Sequence, residues 1–128
     1  MARKIITSKS APDPIGPYSQ AVQWNDLVFT SGQIAIDPQT GDMIPGGVEE
    51  QTRQVIVNLS QVLMAAGASL DSVIKTTIFL KDMNDFARVN QVYAESFGNA
   101  LPARSTVEVS MLPKNALVEI DCIAAVSH

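Results

Sequence analysis

Two charged residues in the last third of the chain have the types and surroundings that catalysis needs. Arg104 interrupts the strand-like segment LPARSTVEV, and Glu119 lies in the strand-like segment ALVEIDCIAAV. A guanidinium binds a carboxylate through paired hydrogen bonds, and a glutamate can take up or release a proton. Because the apolar Val107 and Ile120 are expected in the core, alternation predicts both charged side chains on the other face of adjacent strands.

The same pattern permits a simpler interpretation, in which Arg104 and Glu119 form a cross-strand ion pair on a solvated surface. Such a pair contributes about 0.2–1 kcal/mol to stability. The functional interpretation instead gives Arg104 a carboxylate to bind and Glu119 a proton to handle. The pattern of residues by itself leaves both interpretations open.

Other polar residues lie where they either organise a pocket or complete the fold. Asn90 falls within the apolar stripe of a predicted helix, where an amide without partners costs about 1–3 kcal/mol. It either caps nearby backbone or forms a pocket rim. Tyr18 follows a Gly-Pro pair and either walls a pocket or pins its loop to the core. Ser31 and Gly32 end a strand, where glycine permits close backbone approach. Cys122 is expected to be an inert buried thiol.

The composition excludes several classes of chemistry. With 128 residues, 46% hydrophobic and 17% charged, residues 1–128 are expected to form one globular domain. One cysteine, together with one histidine at the last position, excludes an internal disulfide and a metal site built from several such ligands. The net charge of −4 disfavours a nucleic-acid partner. Neither a membrane span nor a secretory signal is found, so we expect a cytoplasmic protein. Because the chain has so few cysteine and histidine ligands, we also expect it to hold no metal.

Periodicity predicts the elements that position the candidate residues. Residues 48–67 and 83–98 repeat apolar side chains at helical spacing. Strands are predicted at residues 4–6, on both sides of a turn at Asn25 and Asp26, and at 72–82, 102–109 and 116–126. This order predicts an α+β fold with a mixed sheet and two helices on one face.

The last predicted strand indicates an assembly of several copies. Leu117, Glu119, Asp121 and Ile123 alternate with the residues expected to face the helices. The second face of the sheet therefore mixes apolar and acidic side chains, whereas a face open to water is normally more polar. We therefore expect a second copy of the chain to cover this face, in a homo-oligomer.

Five segments resemble, in order and in spacing, the reactive-intermediate deaminase family (RidA, also called YjgF-like). They are IGPYSQA, VFTSGQIAIDPQTG, VIKTTIFLKDMNDFARVNQVY, PARSTVEV and LPKNALVEIDCIAAV. The resemblance implies a chorismate-mutase-like α+β fold and a homotrimer, with the sheets in a central barrel and ligand sites between subunits. It also implies a cofactor-independent hydrolysis of reactive enamines and imines, such as 2-aminoacrylate, 2-iminopropanoate and 2-iminobutanoate, to 2-keto acids and ammonia.

The resemblance also implies residue roles. By its place in PARS, Arg104 matches the residue that binds the substrate carboxylate, and Glu119 matches the residue that organises the attacking water. The other matches are pocket positions expected to contact substrate: Tyr18, Ser31, Gly32, Asn90 and Thr106. Many relatives carry a cysteine at the position of Thr106, so the chain departs from the family there. This departure argues against an obligatory thiol in the chemistry.

Two other classes of function stay open. One is a trimer that binds small carboxylates without converting them. The other is an activity directed at RNA, since some relatives are described as translation inhibitors with ribonuclease behaviour. The acidic balance of the chain disfavours the RNA activity, because a ligand with a phosphate backbone requires a basic surface.

Overall fold

The computed structural model describes residues 3–127, in which a six-stranded sheet carries two helices on one face. The strands are β1 (Lys4–Ile6), β2 (Ala21–Trp24), β3 (Leu27–Thr30), β4 (Val73–Leu80), β5 (Ala103–Glu108) and β6 (Val118–Ala125). The helices are α1 (Val48–Ala65) and α2 (Phe86–Phe97). The predicted α+β class with a mixed sheet is confirmed. His128 lies outside the described residues.

The strand order is β1-β2-β3-β6-β4-β5, which differs from the order along the chain. Four neighbouring pairs are antiparallel, and β4 with β5 is parallel because α2 returns the chain across the sheet between them. The predicted hairpin turns at Asn25, whose φ is 53°. This order inserts β4 between the strands that carry Arg104 and Glu119.

Helix α1 buries its predicted apolar stripe against β6 and β3. All the stripe residues within the helix are buried: Val55, Ile56, Leu59, Val62 and Leu63. Burying each such side chain stabilises the fold by about 1.5–3 kcal/mol. At the start of α1 a carboxylate oxygen of Glu50 accepts a hydrogen bond of 3.0 Å from the Gly47 N–H. Gly67, with a φ of 78°, lets the chain turn away two residues after the helix ends.

Two buried polar residues of α1 fix segments that lead to the candidate site. The Asn58 amide donates hydrogen bonds to the carbonyls of Ile34 (3.2 Å) and Ile36 (3.0 Å), beyond the end of β3. The Gln51 side-chain oxygen accepts a hydrogen bond of 2.9 Å from the Leu117 N–H, just before β6. Helix α1 therefore holds both the segment after Gly32 and the start of β6 in place.

Helix α2 is shorter than predicted, because a 3-10 turn at Met83–Asp85 precedes it. The Asp82 carboxylate accepts a hydrogen bond of 2.9 Å from the Asn84 N–H and so caps this turn. Val89, Tyr93 and Phe97 are buried as the helical spacing predicts, whereas Phe86 is 39% exposed. Gly98, with a φ of 54°, ends the helix at the predicted position.

The two faces of the sheet differ in character. On the helix face, against which both helices pack, Val118, Ile120, Cys122 and Ala124 of β6 are buried, as predicted. The opposite face, here called the open face, mixes half-buried acidic residues with exposed apolar ones. The exposed apolar residues of the open face are Ile5, Trp24, Phe29 and Val107. The predicted mixture of acidic and apolar side chains is therefore present on the uncovered face.

The thiol of Cys122 is buried on the helix face, next to Thr30. Burial raises the pKa of Cys122 to about 11, so the thiol stays protonated at neutral pH. This supports the prediction that it is inert. Among residues 3–127, neither helix has the length and apolar character to cross a membrane.

Candidate active site

The structure separates Arg104 from Glu119, contrary to the prediction that they share a face on adjacent strands. Thr76 of β4 lies opposite Arg104, and Phe79 of β4 lies opposite Glu119. Because Thr76 and Phe79 are three residues apart on one strand, their side chains point to opposite faces. Arg104 is therefore on the helix face and Glu119 on the open face. A direct cross-strand ion pair between them is excluded.

The prediction is wrong because Val107 does not lie in the core. Val107 lies opposite Phe79 on the open face and is 43% exposed. Both faces of this sheet carry apolar side chains. The apolar character of a residue therefore does not show which of the two alternating sets in a strand faces the helices. Arg104 and Thr106 share the helix face, as their register with Thr76 and Ile78 shows.

The Arg104 guanidinium lies against two aromatic rings of α2. Its central carbon is 4.9 Å from the centre of the Tyr93 ring and 5.5 Å from the centre of the Phe86 ring. In the part of the chain that the structure describes, no carboxylate oxygen lies within 4.0 Å of its nitrogen atoms. Contacts with the flat faces of a guanidinium leave its in-plane N–H groups available to an anion.

Tyr93 is itself held in place, which makes its ring a fixed support for Arg104. Its hydroxyl oxygen is 2.7 Å from the hydroxyl oxygen of Thr76, and its ring stacks on Phe97 at 4.4 Å between ring centres. Burial raises the pKa of Tyr93, against the smaller opposite effects of the Thr76 hydrogen bond and the Arg104 charge. The tyrosine therefore stays neutral at physiological pH.

A surface cavity of about 340 Å³ opens beside this guanidinium, between the C-terminal part of α2 and the start of β5. Its lining is mostly apolar and consists of Asn90, Tyr93, Ala94, Phe97, Gly98, Leu101, Pro102 and Arg104. Asn90 is half-buried at this cavity, as the pocket-rim interpretation predicts. Within residues 3–127 the structure shows no hydrogen bond to its amide, so the alternative capping role is not observed.

Thr106 adds a second polar group on the same side of β5. Its hydroxyl oxygen is buried and has no hydrogen-bond partner among the described residues. A buried hydroxyl without a partner is costly, and a bound ligand or an ordered water can remove that cost. We call Asn90, Arg104 and Thr106, with the supporting rings of Phe86 and Tyr93, the arginine half-site.

Glu119 belongs to a different group of residues on the open face. It packs against Gly32, where an added Cβ would lie 2.7 Å from the Glu119 carboxyl carbon. Only glycine therefore leaves room for the carboxylate in this position. Burial, and then the neighbouring charge of Asp121, raise the pKa of Glu119. A carboxylate with a raised pKa is a better proton acceptor near neutral pH.

Tyr18 and Ser31 lie next to this glycine. The Tyr18 ring and Gly32 line the same small cavity under the proline-rich loop, and the Tyr18 hydroxyl oxygen accepts a hydrogen bond of 3.2 Å from the Ile15 N–H. The Ser31 hydroxyl donates a hydrogen bond of 2.6 Å to the Ser19 carbonyl. We call Tyr18, Ser31, Gly32 and Glu119 the glutamate half-site.

The predicted site residues thus fall into two groups on opposite faces of one chain. Sequence reasoning did not identify Phe86, Tyr93 and Thr76 as supports of Arg104. The aromatic spacing in α2 is a visible signal, but the same helical spacing also predicts a stripe that faces the core. Among residues 3–127 no group of three or more histidine, cysteine, aspartate or glutamate side chains is arranged to hold a metal ion.

Comparison with known proteins agrees with this fold. The family model described as endoribonuclease L-PSP matches residues 8–126. The 2-iminobutanoate/2-iminopropanoate deaminase of Mus musculus is 48% identical over 122 residues, which cover 95% of this chain and 90% of that protein. A RutC family protein of Pyrococcus horikoshii is 55% identical over 122 residues, with coverage of 95% and 97%.

A solved structure gives the same result in three dimensions. The crystal structure of Escherichia coli TdcF with bound serine is 45% identical to this chain and superposes with a TM-score of 0.92, covering 97% of this chain and 99% of that one. The chain therefore belongs to the RidA (YjgF-like) family, whose members include proteins named 2-iminobutanoate/2-iminopropanoate deaminase and Reactive Intermediate Deaminase A.

Proposed function

We propose that this protein hydrolyses reactive 2-imino acids, such as 2-iminobutanoate and 2-iminopropanoate, to 2-keto acids and ammonia without a cofactor. The single observation that carries the proposal is the Arg104 guanidinium, which is supported by aromatic rings at the edge of a cavity and lacks a carboxylate partner within the described residues. The deaminase name of the mouse relative supports the reaction. The bound serine of TdcF supports a site for a small amino-acid-like carboxylate.

Arg104 binds the substrate carboxylate in this proposal. Each charge-assisted hydrogen bond contributes about 1.5–3 kcal/mol, and a guanidinium forms two such bonds to one carboxylate. The rings of Phe86 and Tyr93 restrict the side chain before the substrate arrives, so less conformational entropy is lost on binding. The amide of Asn90, which lines the cavity, supplies a further polar contact to the bound ligand.

Glu119 activates the water. It takes a proton as the water oxygen bonds to C2 of the imine, while the electron pair of the C=N π bond moves to nitrogen, which gains a proton. Glu119 then gives the proton that it took up to the amino nitrogen of the resulting carbinolamine, so the C–N bond breaks and ammonia leaves. The hydroxyl loses its proton to the Glu119 carboxylate, which gives the ketone, and Glu119 releases this proton to solvent. A well-placed general base accelerates such a step by about 10²–10⁴-fold. The raised pKa of Glu119 suits this role at neutral pH.

The two half-sites act together when they come from different subunits of a homotrimer. Arg104 and Glu119 point to opposite faces of one chain, so one chain does not bring both to a common substrate. Ile5, Trp24, Phe29 and Val107 leave apolar surface uncovered on the open face. Packing the open faces around a central barrel, as the family resemblance implies, covers this surface and brings a neighbouring glutamate half-site to each arginine half-site.

The first experiment couples the protein to a threonine dehydratase, which releases the imine and its enamine tautomer, and follows imine loss against the spontaneous background. We expect acceleration by the wild type and a loss of about 100-fold or more in kcat/KM for Arg104→Ala, because two charge-assisted hydrogen bonds are removed. Arg88→Ala is the matched control, since Arg88 is an exposed arginine 3.4 Å from Asp85 and outside the cavity. Equal rates for Arg104→Ala and the wild type contradict the proposal.

The same preparation separates the other two functions. Binding of 2-oxobutanoate without acceleration of imine loss identifies a carboxylate-binding module. Cleavage of RNA by the purified protein at physiological salt identifies the activity in the family description. We expect no cleavage, because the net charge of −4 gives little attraction for a phosphate backbone.

A further inference from the structure

Leu101 has a conformation that its residue type disfavours. Its φ is 44°, in the left-handed region that a branched side chain rarely adopts, and the next residue is Pro102. Its side chain is also 79% exposed, the highest value among the large hydrophobic residues that the structure describes. A strained backbone that presents an apolar side chain to the outside is a marker of functional constraint.

Leu101 lies at the cavity of the arginine half-site. Helix α2 ends at Phe97, with Gly98 as its C-terminal cap, and β5 begins at Ala103, so five residues (98–102) connect the two elements. The Ala100 N–H donates a hydrogen bond of 3.1 Å to the Phe97 carbonyl, which keeps the chain turning after the helix. Leu101 therefore lines the cavity together with Phe97 and Arg104.

The cavity offers one charge and several apolar surfaces. Arg104 is its only cation, and Asn90 is its only side-chain amide among the lining residues. The remaining lining residues are aromatic, aliphatic or glycine. When Arg104 binds the carboxylate of a ligand, the rest of that ligand lies against apolar surface. A second carboxylate would lose water there without gaining a positive partner.

We propose that Leu101 is a specificity-determining residue, whose side chain covers the alkyl group of the ligand and so selects monocarboxylic acids over dicarboxylic ones. This inference rests on the proposed function, because selection between these acids matters for the reaction only if the protein acts on 2-imino acids. It is tested by ligand binding, which does not require turnover. The probes are the stable 2-keto acids 2-oxobutanoate and 2-oxoglutarate, titrated into the intact protein.

The first test adds a cation. Wild type is expected to bind 2-oxobutanoate more tightly, and Leu101→Lys to shift the ratio of the two dissociation constants toward 2-oxoglutarate by about tenfold. Met111→Lys is the matched control, because Met111 is 72% exposed, is not among the residues that line this cavity, and gives the same change in charge. Equal preferences in Leu101→Lys and Met111→Lys overturn the inference.

The second test removes the side chain. Leu101→Gly relieves the positive φ, so its melting temperature is expected to match or exceed that of the wild type. Its preference for 2-oxobutanoate over the shorter pyruvate is expected to fall by about tenfold, as for a lost alkyl contact in an apolar pocket. An unchanged preference overturns the inference. The expected selectivity without any imine turnover would instead overturn the proposed function and leave the assignment of Leu101 intact.

Discussion

The arginine half-site and the glutamate half-site prepare their charged groups in opposite ways. Arg104 lies on a rigid aromatic support, with its ring contacts at 4.9 and 5.5 Å, and its charge is not compensated by a carboxylate among the described residues. Glu119 packs against Gly32 beside a second acidic residue, and its pKa is raised by burial. The first arrangement suits the binding of an anion, and the second suits the transfer of a proton.

Neither half-site by itself holds both of the groups that the proposed reaction requires. Arg104 lies on the helix face and Glu119 on the open face, so within residues 3–127 the anion-binding group and the proton acceptor are kept apart. Keeping the two groups on opposite faces also avoids a direct ion pair, which would neutralise both. In the proposed homotrimer, assembly brings together the two groups that a single chain keeps apart.

The largest expected effect comes from mixing two inactive variants. Arg104→Ala and Glu119→Gln are each expected to lose imine hydrolysis. Refolding them together should restore activity at about one quarter of the sites, because random assembly gives one site in four an intact residue from each neighbour. The measurement is the rate of imine loss before and after co-refolding. No recovery, with mixed trimers present, would show that the two residues do not share a site across subunits.

A smaller effect is expected within the arginine half-site. Tyr93→Leu removes the ring under Arg104, so the dissociation constant for 2-oxobutanoate and the KM for the imine should each rise about 3–30-fold, with a smaller change in kcat. Tyr93→Phe is the matched control, because it keeps the ring and loses only the hydrogen bond to Thr76, at about 1 kcal/mol of stability. If both variants bind the ligand as tightly as the wild type, the aromatic support has no role in binding.

The smallest effect concerns stability and tests the glutamate half-site. Because burial raises the pKa of Glu119, its ionised form opposes folding, and this opposition grows as pH rises through the interval between the ordinary and the raised pKa. Glu119→Gln should therefore raise the melting temperature at pH 7 and give no gain below about pH 4. Glu95→Gln serves as the control, since the Glu95 side chain is 56% exposed. A gain that is equal at both pH values would show that ionisation is not its cause.

The sequence predicted the elements well because their signals are local. The apolar stripe of α1, the hairpin turn at Asn25 and the glycine that ends α2 all act within a few residues of the chain. The alternation of β6 correctly predicted a face that mixes Glu119 and Asp121 with apolar side chains. The sequence motifs also identified the family, which the comparisons confirm.

The arrangement of the candidate residues depends on contacts between distant parts of the chain. The insertion of β4 between β5 and β6 is a long-range pairing, and no local pattern encodes it. That pairing put Arg104 on the helix face and Glu119 on the open face, although alternation in each strand was predicted correctly. Strand alternation determines which residues share a face, but the packing of distant elements determines which face each set occupies.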